Sequence, residues 1–165
     1  PLVLFSYLNP IVAAGSTALT RAAASGIHGL LITDLPVGGD PGLEREIGES
    51  PLSFIRLVAP TTPAARMAEI ATHGSGFVYL ISRLGVTGMQ REIASGLAET
   101  IERLRSVTAL PVCVGFGIST PEQAASVASM ADGVIGGSAV VRAAETSVES
   151  AVALVRAMRK AIDER

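Results

Sequence analysis

Six short apolar runs recur along this chain, each followed by a segment with helical spacing, and that alternation leaves few folds open. The runs cover residues 2–7, 29–33, 53–58, 76–81, 110–114 and 132–135. They are apolar nearly throughout rather than at every second position, which is the pattern of strands buried on both faces in a parallel sheet covered by helices. Parallel neighbours need a crossover of about a dozen residues or more, and the spacing of these runs leaves room for one helix in each gap. The intervening segments carry the matching start and stop signals. Gly15-Ser16-Thr17 offers an N-cap for a helix over 18–25 with Gly26 just past its end, and a short helix is expected over 43–47. Thr62 is read as the N-cap and Pro63 as the first helical residue of a helix over 64–73, with Met67, Ile70 and Ala71 inside. Further helices are expected from about 95 to 106, from the capping box Thr120-Pro121-Glu122-Gln123 to 130, over 138–144 and over 147–162. In the last of these, Val148, Ala151, Val152, Val155 and Met158 are spaced for one buried face.

Two glycine turns mark where chemistry is expected. Gly115-Phe116-Gly117-Ile118-Ser119 follows the fifth run and Gly136-Gly137-Ser138 follows the sixth, each leading into a helix. Glycine lets backbone approach a ligand closely, and amides at a helix start point outward with the positive end of the helix dipole behind them. Either turn alone is compatible with a plain sharp connection. Two consecutive ones after the last two strands match the usual phosphate seat of a (β/α)8 barrel, whereas an open doubly wound sheet carries its glycine fingerprint after the first strand. The expectation is therefore a (β/α)8 TIM barrel lacking its first two βα units: six parallel strands with helices outside, in a single domain over residues 1–165. The chain opens in mid-strand at Pro1-Leu2-Val3-Leu4-Phe5, as a piece of a longer protein would. A barrel short of two units leaves its first and last strands with unpaired edges.

The segment from Ser82 to Glu92 is too long for a plain βα connection and contains Gly85 and Gly88; it reads as a lid. Composition narrows the partners. Thirteen basic against fifteen acidic residues give a net charge of −2, with no basic cluster, which disfavours nucleic acid or an anionic membrane surface. No apolar stretch is long enough to span a membrane. The lone Cys113 falls in an expected buried strand and fits an inert thiol in a reducing, cytoplasmic setting. Of the groups that could bind a metal, Asp34 stands at a strand end, while His28 and His73 lie away from that rim, so no metal site is expected.

Beyond these patterns, several motifs resemble a known family. They are Leu4-Phe5-Ser6-Tyr7-Leu8-Asn9-Pro10, Gly29-Leu30-Leu31-Ile32-Thr33-Asp34-Leu35-Pro36, Leu57-Val58-Ala59-Pro60-Thr61, Gly76-Phe77-Val78-Tyr79 through Ser82-Arg83-Leu84-Gly85-Val86-Thr87-Gly88, Val114-Gly115-Phe116-Gly117-Ile118-Ser119, and Ala131-Asp132-Gly133-Val134 through Gly137-Ser138-Ala139. In this order, across the chain, they are similar to the α subunit of tryptophan synthase. The resemblance implies a lyase of tryptophan biosynthesis that splits indole-3-glycerol phosphate into indole and glyceraldehyde 3-phosphate by a retro-aldol reaction. It implies no cofactor in this subunit, and indole passing to a pyridoxal-phosphate β subunit in an α2β2 heterotetramer. It assigns the phosphate to Gly88, Gly117, Gly137 and Ser138, the indole pocket to Phe5, Tyr79 and Phe116, the lid to Arg83 and Thr87, and the partner-facing rim to Asn9, Asp34 and Pro36. The family's two catalytic carboxylates correspond to positions upstream of Pro1. No catalytic residue is therefore expected in this chain, and the fragment alone should be inactive. The competing readings are another phosphate-binding barrel, such as a sugar-phosphate isomerase or epimerase, and a non-catalytic phosphate-ligand-binding or partner-regulating module.

Overall fold

The structure, a computed structural model, describes residues 1–82 and 90–164, and the side chains of all of these except 90–95. The six apolar runs become β1 (Val3–Ser6), β2 (Gly29–Ile32), β3 (Ser53–Val58), β4 (Val78–Ile81), β5 (Val112–Gly115) and β6 (Gly133–Ile135). They form one sheet in chain order, and every neighbouring pair is parallel. Strict order without a switch point is the arrangement of a barrel wall, not of a doubly wound sheet. The crossovers are α1 (Leu8–Ala13) and α2 (Ala18–Ala24), then α3 (Pro41–Glu49), α4 (Ala64–Thr72), α5 (Gln90–Arg105) and α6 (Pro121–Ala128); α7 (Ser138–Thr146) and α8 (Val148–Asp163) end the chain.

Alternation along the strands divides the side chains between two faces. Outward residues Leu30, Ile32 and Phe54 pack with Ile11, Leu19, Leu35 and Ile47 of the first helices. Val58, Val78, Leu80, Val112 and Val114 pack with Met67, Leu97, Ile101, Leu104, Ala124, Val127 and Met158. Inward residues Leu31, Ile55 and Tyr79 form a third cluster, joined by Leu57, Phe77 and Ile135. The sheet is curled around that cluster. Phe5 on β1 and Tyr79 on β4 meet edge to face with ring centroids 6.2 Å apart, although three strand spacings in a flat sheet would separate their backbones by about 14 Å.

Several elements differ from the sequence expectation, each for a local reason. A short helix that the sequence reading did not anticipate, α1, follows β1 and contains Asn9 and Pro10; Pro falls near its start, where the missing N–H costs nothing. In α4 the N-cap is Pro63, because the Thr62 hydroxyl is turned back to accept from the Ala59 amide at 3.1 Å. Helix α5 begins at Gln90, which shortens the preceding connection. In α8, Leu154, Met158 and Ile162 face the core while Val148, Val152 and Val155 are 70%, 42% and 47% exposed. Two apolar stripes lie one residue apart on that helix, and only the one turned toward α6 and β6 is buried.

A charged residue interrupts the outer layer. Arg56 on β3 is 4% exposed, lies over the Phe54 ring at 3.7 Å and pairs with Glu44 of α3 at 2.5 Å. It also donates to the carbonyls of His73 (3.0 Å) and Leu35 (3.3 Å). Burial by itself raises the Glu44 pKa, but the Arg56 guanidinium and the Gly38 and Asp40 amides outweigh it, so the carboxyl titrates below its ordinary 4.5. Burial pulls Arg56 downward against the same partner, from so high a value that it stays charged. A carboxyl with a lowered folded-state pKa contributes stability above its unfolded pKa, and that contribution is lost as pH falls through the folded one. Urea titrations between neutral pH and about pH 3 should therefore show stability falling in the wild type from about pH 4.5 downward, and falling less steeply in Glu44→Gln. Arg56→Met, which leaves a buried carboxylate unpaired, should cost about 3–5 kcal/mol at neutral pH. A parallel pH dependence in wild type and Glu44→Gln would contradict the assignment.

Candidate functional site at the carboxyl rim of the sheet

The register of the last two strands fixes the site. Gly115 pairs with Ile135, so the turns that follow β5 and β6 leave the sheet side by side on one rim. Gly117, Gly137 and Ser138, three of the residues assigned to phosphate, are exposed on these two turns. Gly88, Arg83 and Thr87 lie outside the described residues.

The two turns are not chemically equivalent. At the start of α6 the capping box is formed: Thr120 accepts from the Gln123 amide, and Gln123 Oε1 accepts from the amides of Ser119 (2.8 Å) and Thr120 (3.2 Å). Those donors are occupied by the chain itself. At the start of α7 the cap is Gly137, which has no side chain to offer its first turn. The leading amides of an α-helix have no intrahelical acceptor, so of the two helix starts α7 is the one left without a side-chain cap. The capping box was visible in the sequence, but its effect on which helix start is open was not.

Between the glycines, Phe116 has φ +85°, the one non-glycine residue with positive φ among the described residues. Such a conformation costs about 1–3 kcal/mol in a side-chain-bearing residue and persists only where its surroundings impose it. The support is Ser82 at the end of β4, which is 2% exposed. Its amide donates to the Gly115 carbonyl at 2.8 Å, and its hydroxyl donates to the carbonyls of Gly115 (3.1 Å) and Phe116 (3.3 Å). The strained turn holds an aromatic ring 63% exposed at the rim. Sequence reading counted Ser82 with the lid and gave it no role of its own; its place right after a strand was the available signal.

Tyr79 and Phe5 complete an aromatic wall on the concave face. Tyr79 is 6% exposed, and burial pushes its phenol up from the ordinary value. The ring fits because the neighbouring strand carries Gly115, where an added Cβ would stand 2.4 Å from the Tyr79 ring. The Phe5 side of the wall is open, at 58% exposed. Asn9, Asp34 and Pro36 are all exposed near the ends of β1 and β2. Asp34 Oδ1 accepts from the Leu8 amide at 2.7 Å, so it caps α1 of the preceding unit rather than the loop that follows it. Cys113 is half-buried on the concave face, with Gly133 leaving room for its sulfur. Burial, then the Asp132 charge, raises its pKa, so it is a poor nucleophile. Among the described residues no group of three His, Cys, Asp or Glu side chains could hold a metal, and no helix is long and apolar enough to cross a membrane.

A curled parallel sheet in chain order, with glycine turns after its last two strands and an aromatic concave face, defines a segment of an α/β barrel. Comparison with known proteins gives the family. A family model described as tryptophan synthase alpha chain matches residues 1–164, and the chain belongs to that family. It is 50% identical over 149 residues to the tryptophan synthase alpha chain of Gloeobacter violaceus, covering 89% of this chain and 54% of the relative. It is 45% identical over 166 residues to that of Synechococcus elongatus, covering 99% and 62%. Among solved structures, tryptophan synthase subunit alpha from Legionella pneumophila superposes with a TM-score of 0.86 at 35% identity, over all of this chain and 63% of that one. The Campylobacter jejuni subunit gives 0.88 at 29% identity, over 95% and 64%. The chain thus spans about half to two thirds of the length of these relatives.

Two substitutions test the aromatic rim. Phe116→Gly should leave stability unchanged or raise it by about 1 kcal/mol in chemical denaturation. Gly115→Ala should destabilise by about 1–3 kcal/mol by driving a methyl group into Tyr79. A Phe116→Gly chain that loses stability would show that the turn is not strained.

Proposed function

We propose that this chain is the phosphate-gripping and ring-binding part of a tryptophan synthase α subunit. The whole protein would cleave indole-3-glycerol phosphate to indole and glyceraldehyde 3-phosphate, in the cytoplasm and without a cofactor of its own. It would deliver indole to a pyridoxal-phosphate β subunit, in an α2β2 assembly as the resemblance implies. The observation that carries the reading is the juxtaposition of the Gly117 turn and the uncapped α7 start beside Phe116. A phosphate there would take backbone donors and the helix dipole, and the indole would lie along Phe116, Tyr79 and Phe5.

The chemistry needs a proton delivered to C3 of the indole and another removed from the side-chain hydroxyl, which calls for two carboxyl groups beside the substrate. Two acids that follow β2, Asp34 and Glu44, are otherwise engaged. Asp34 is held by the Leu8 amide, and Glu44 sits on the helix side of the sheet, paired to Arg56. The chain is accordingly expected to bind and not to turn over. A non-catalytic binding module predicts the same binding, and the two readings separate on whether the missing barrel units, added in trans, restore cleavage.

Titration calorimetry with indole-propanol phosphate should show saturable binding by the 165-residue chain, with no indole released from indole-3-glycerol phosphate above blank. Ser138→Glu places a negative charge at the start of α7. It should weaken that binding by about tenfold or more while leaving stability unchanged or a few tenths of a kcal/mol higher, because an acid there suits the helix dipole. Unaltered affinity in Ser138→Glu would remove the phosphate from this seat.

A further inference from the structure

The rim bearing Asn9, Asp34 and Pro36 is fastened from beneath. Glu44 Oε1 accepts from the Gly38 amide at 2.8 Å and from the Asp40 amide at 3.4 Å, while its other oxygen meets Arg56. Arg56 donates to the Leu35 carbonyl at 3.3 Å, and Arg66 of α4 donates to the Val37 carbonyl at 3.0 Å. Four backbone groups between residues 35 and 40 are therefore held by three charged side chains from α3, β3 and α4. The next residue back, Asp34, grips the Leu8 amide at the start of α1, and Asn9 follows Leu8. The chain of contacts runs without a gap from a buried ion pair to an exposed surface.

A buried ion pair is a poor way to gain stability, since its desolvation offsets most of the attraction, but it fixes geometry when both partners are fully bonded. Arg56 and Glu44 have side chains 5% and 10% exposed, and apart from the Arg56 bond to the His73 carbonyl their remaining bonds are spent on one loop. An apolar pair would fill the layer between α3 and β3 equally well and would not hold that loop.

We infer that Glu44 and Arg56 are positioning residues that set the shape of the 34–40 loop and so prepare the Asn9, Asp34 and Pro36 surface to dock the β subunit. The docking half of this inference rests on the partner reading above; the clamp itself does not. The test uses the 165-residue chain as wild type, Glu44→Gln, Arg56→Lys and the double variant Glu44→Gln/Arg56→Met. Amide hydrogen exchange and affinity for a tryptophan synthase β subunit are measured on each. In Glu44→Gln, exchange at Gly38 and Asp40 should accelerate by about tenfold or more while Val114 in β5 is unchanged. β-subunit affinity should fall by about fivefold or more, with Arg56→Lys retaining most of both. If Glu44→Gln does not fold, the double variant, which leaves no buried charge unpaired, is held to the same expectation. Unchanged exchange at Gly38 and Asp40 overturns the clamp. Accelerated exchange with undiminished affinity overturns the docking role. Accelerated exchange in a family whose wild-type member binds no β subunit upholds the clamp and overturns the partner reading.

Discussion

Lateral hydrogen bonding between parallel strands in unbroken chain order is the constraint on which the rest of this structure depends. It aligns all six carboxyl ends on one rim, and the pairing of Gly115 with Ile135 brings the last two turns together there. The same ladder, curled, turns inward residues toward one another until β1 and β4 touch through Phe5 and Tyr79. Glycine at inward positions admits the bulky side chain of the adjacent strand. Gly29 faces Ile55, Gly115 faces Tyr79 and Gly133 faces Cys113, each too close for a Cβ. Concave packing is thus written into which strand carries the small residue.

On that frame, the rim divides labour between satisfied and unsatisfied backbone. The start of α6 spends its donors on Gln123 and Thr120, which makes the turn before it rigid. Rigidity there lets Ser82 hold Phe116 in a left-handed conformation it would not adopt alone. The start of α7 keeps its donors free of side-chain caps, so the proposed phosphate seat and the aromatic ring are set by different devices on two separate turns. The opposite end of the sheet is ordered by plainer means, with Asp132 accepting from the Val112 amide at 2.9 Å and from Arg105 at 3.0 Å.

Much of this was legible in the sequence because strand burial and turn chemistry are local signals. All six strands, their parallel order and both glycine turns could be read from apolar runs and glycine placement. What escaped were contacts between residues far apart in the chain. Asp34 was read as a rim residue, but its partner Leu8 lies 26 positions earlier. Glu44 falls in the short helix expected over 43–47 and had no role assigned to it, whereas Arg56, 12 positions later and in an apolar strand, pairs with it. The face of α8 was read only in part: Met158 is buried as expected, but Val148, Val152 and Val155 are exposed because two apolar stripes compete on that helix and packing chooses the one with Leu154 and Ile162. Periodicity can show that a face exists; only packing decides which one is covered.

The central claim is that one ligand phosphate is shared by the turn after β5 and the first turn of α7. Amide chemical shifts of the 15N-labelled chain, followed as indole-propanol phosphate is added, test it most directly. The account predicts that Gly117, Gly137 and Ser138 shift together with a common saturation midpoint, while the Ser119 and Thr120 amides, already bonded to Gln123, move little. Shifts confined to one of the two turns, or saturating at different concentrations in each, would contradict it.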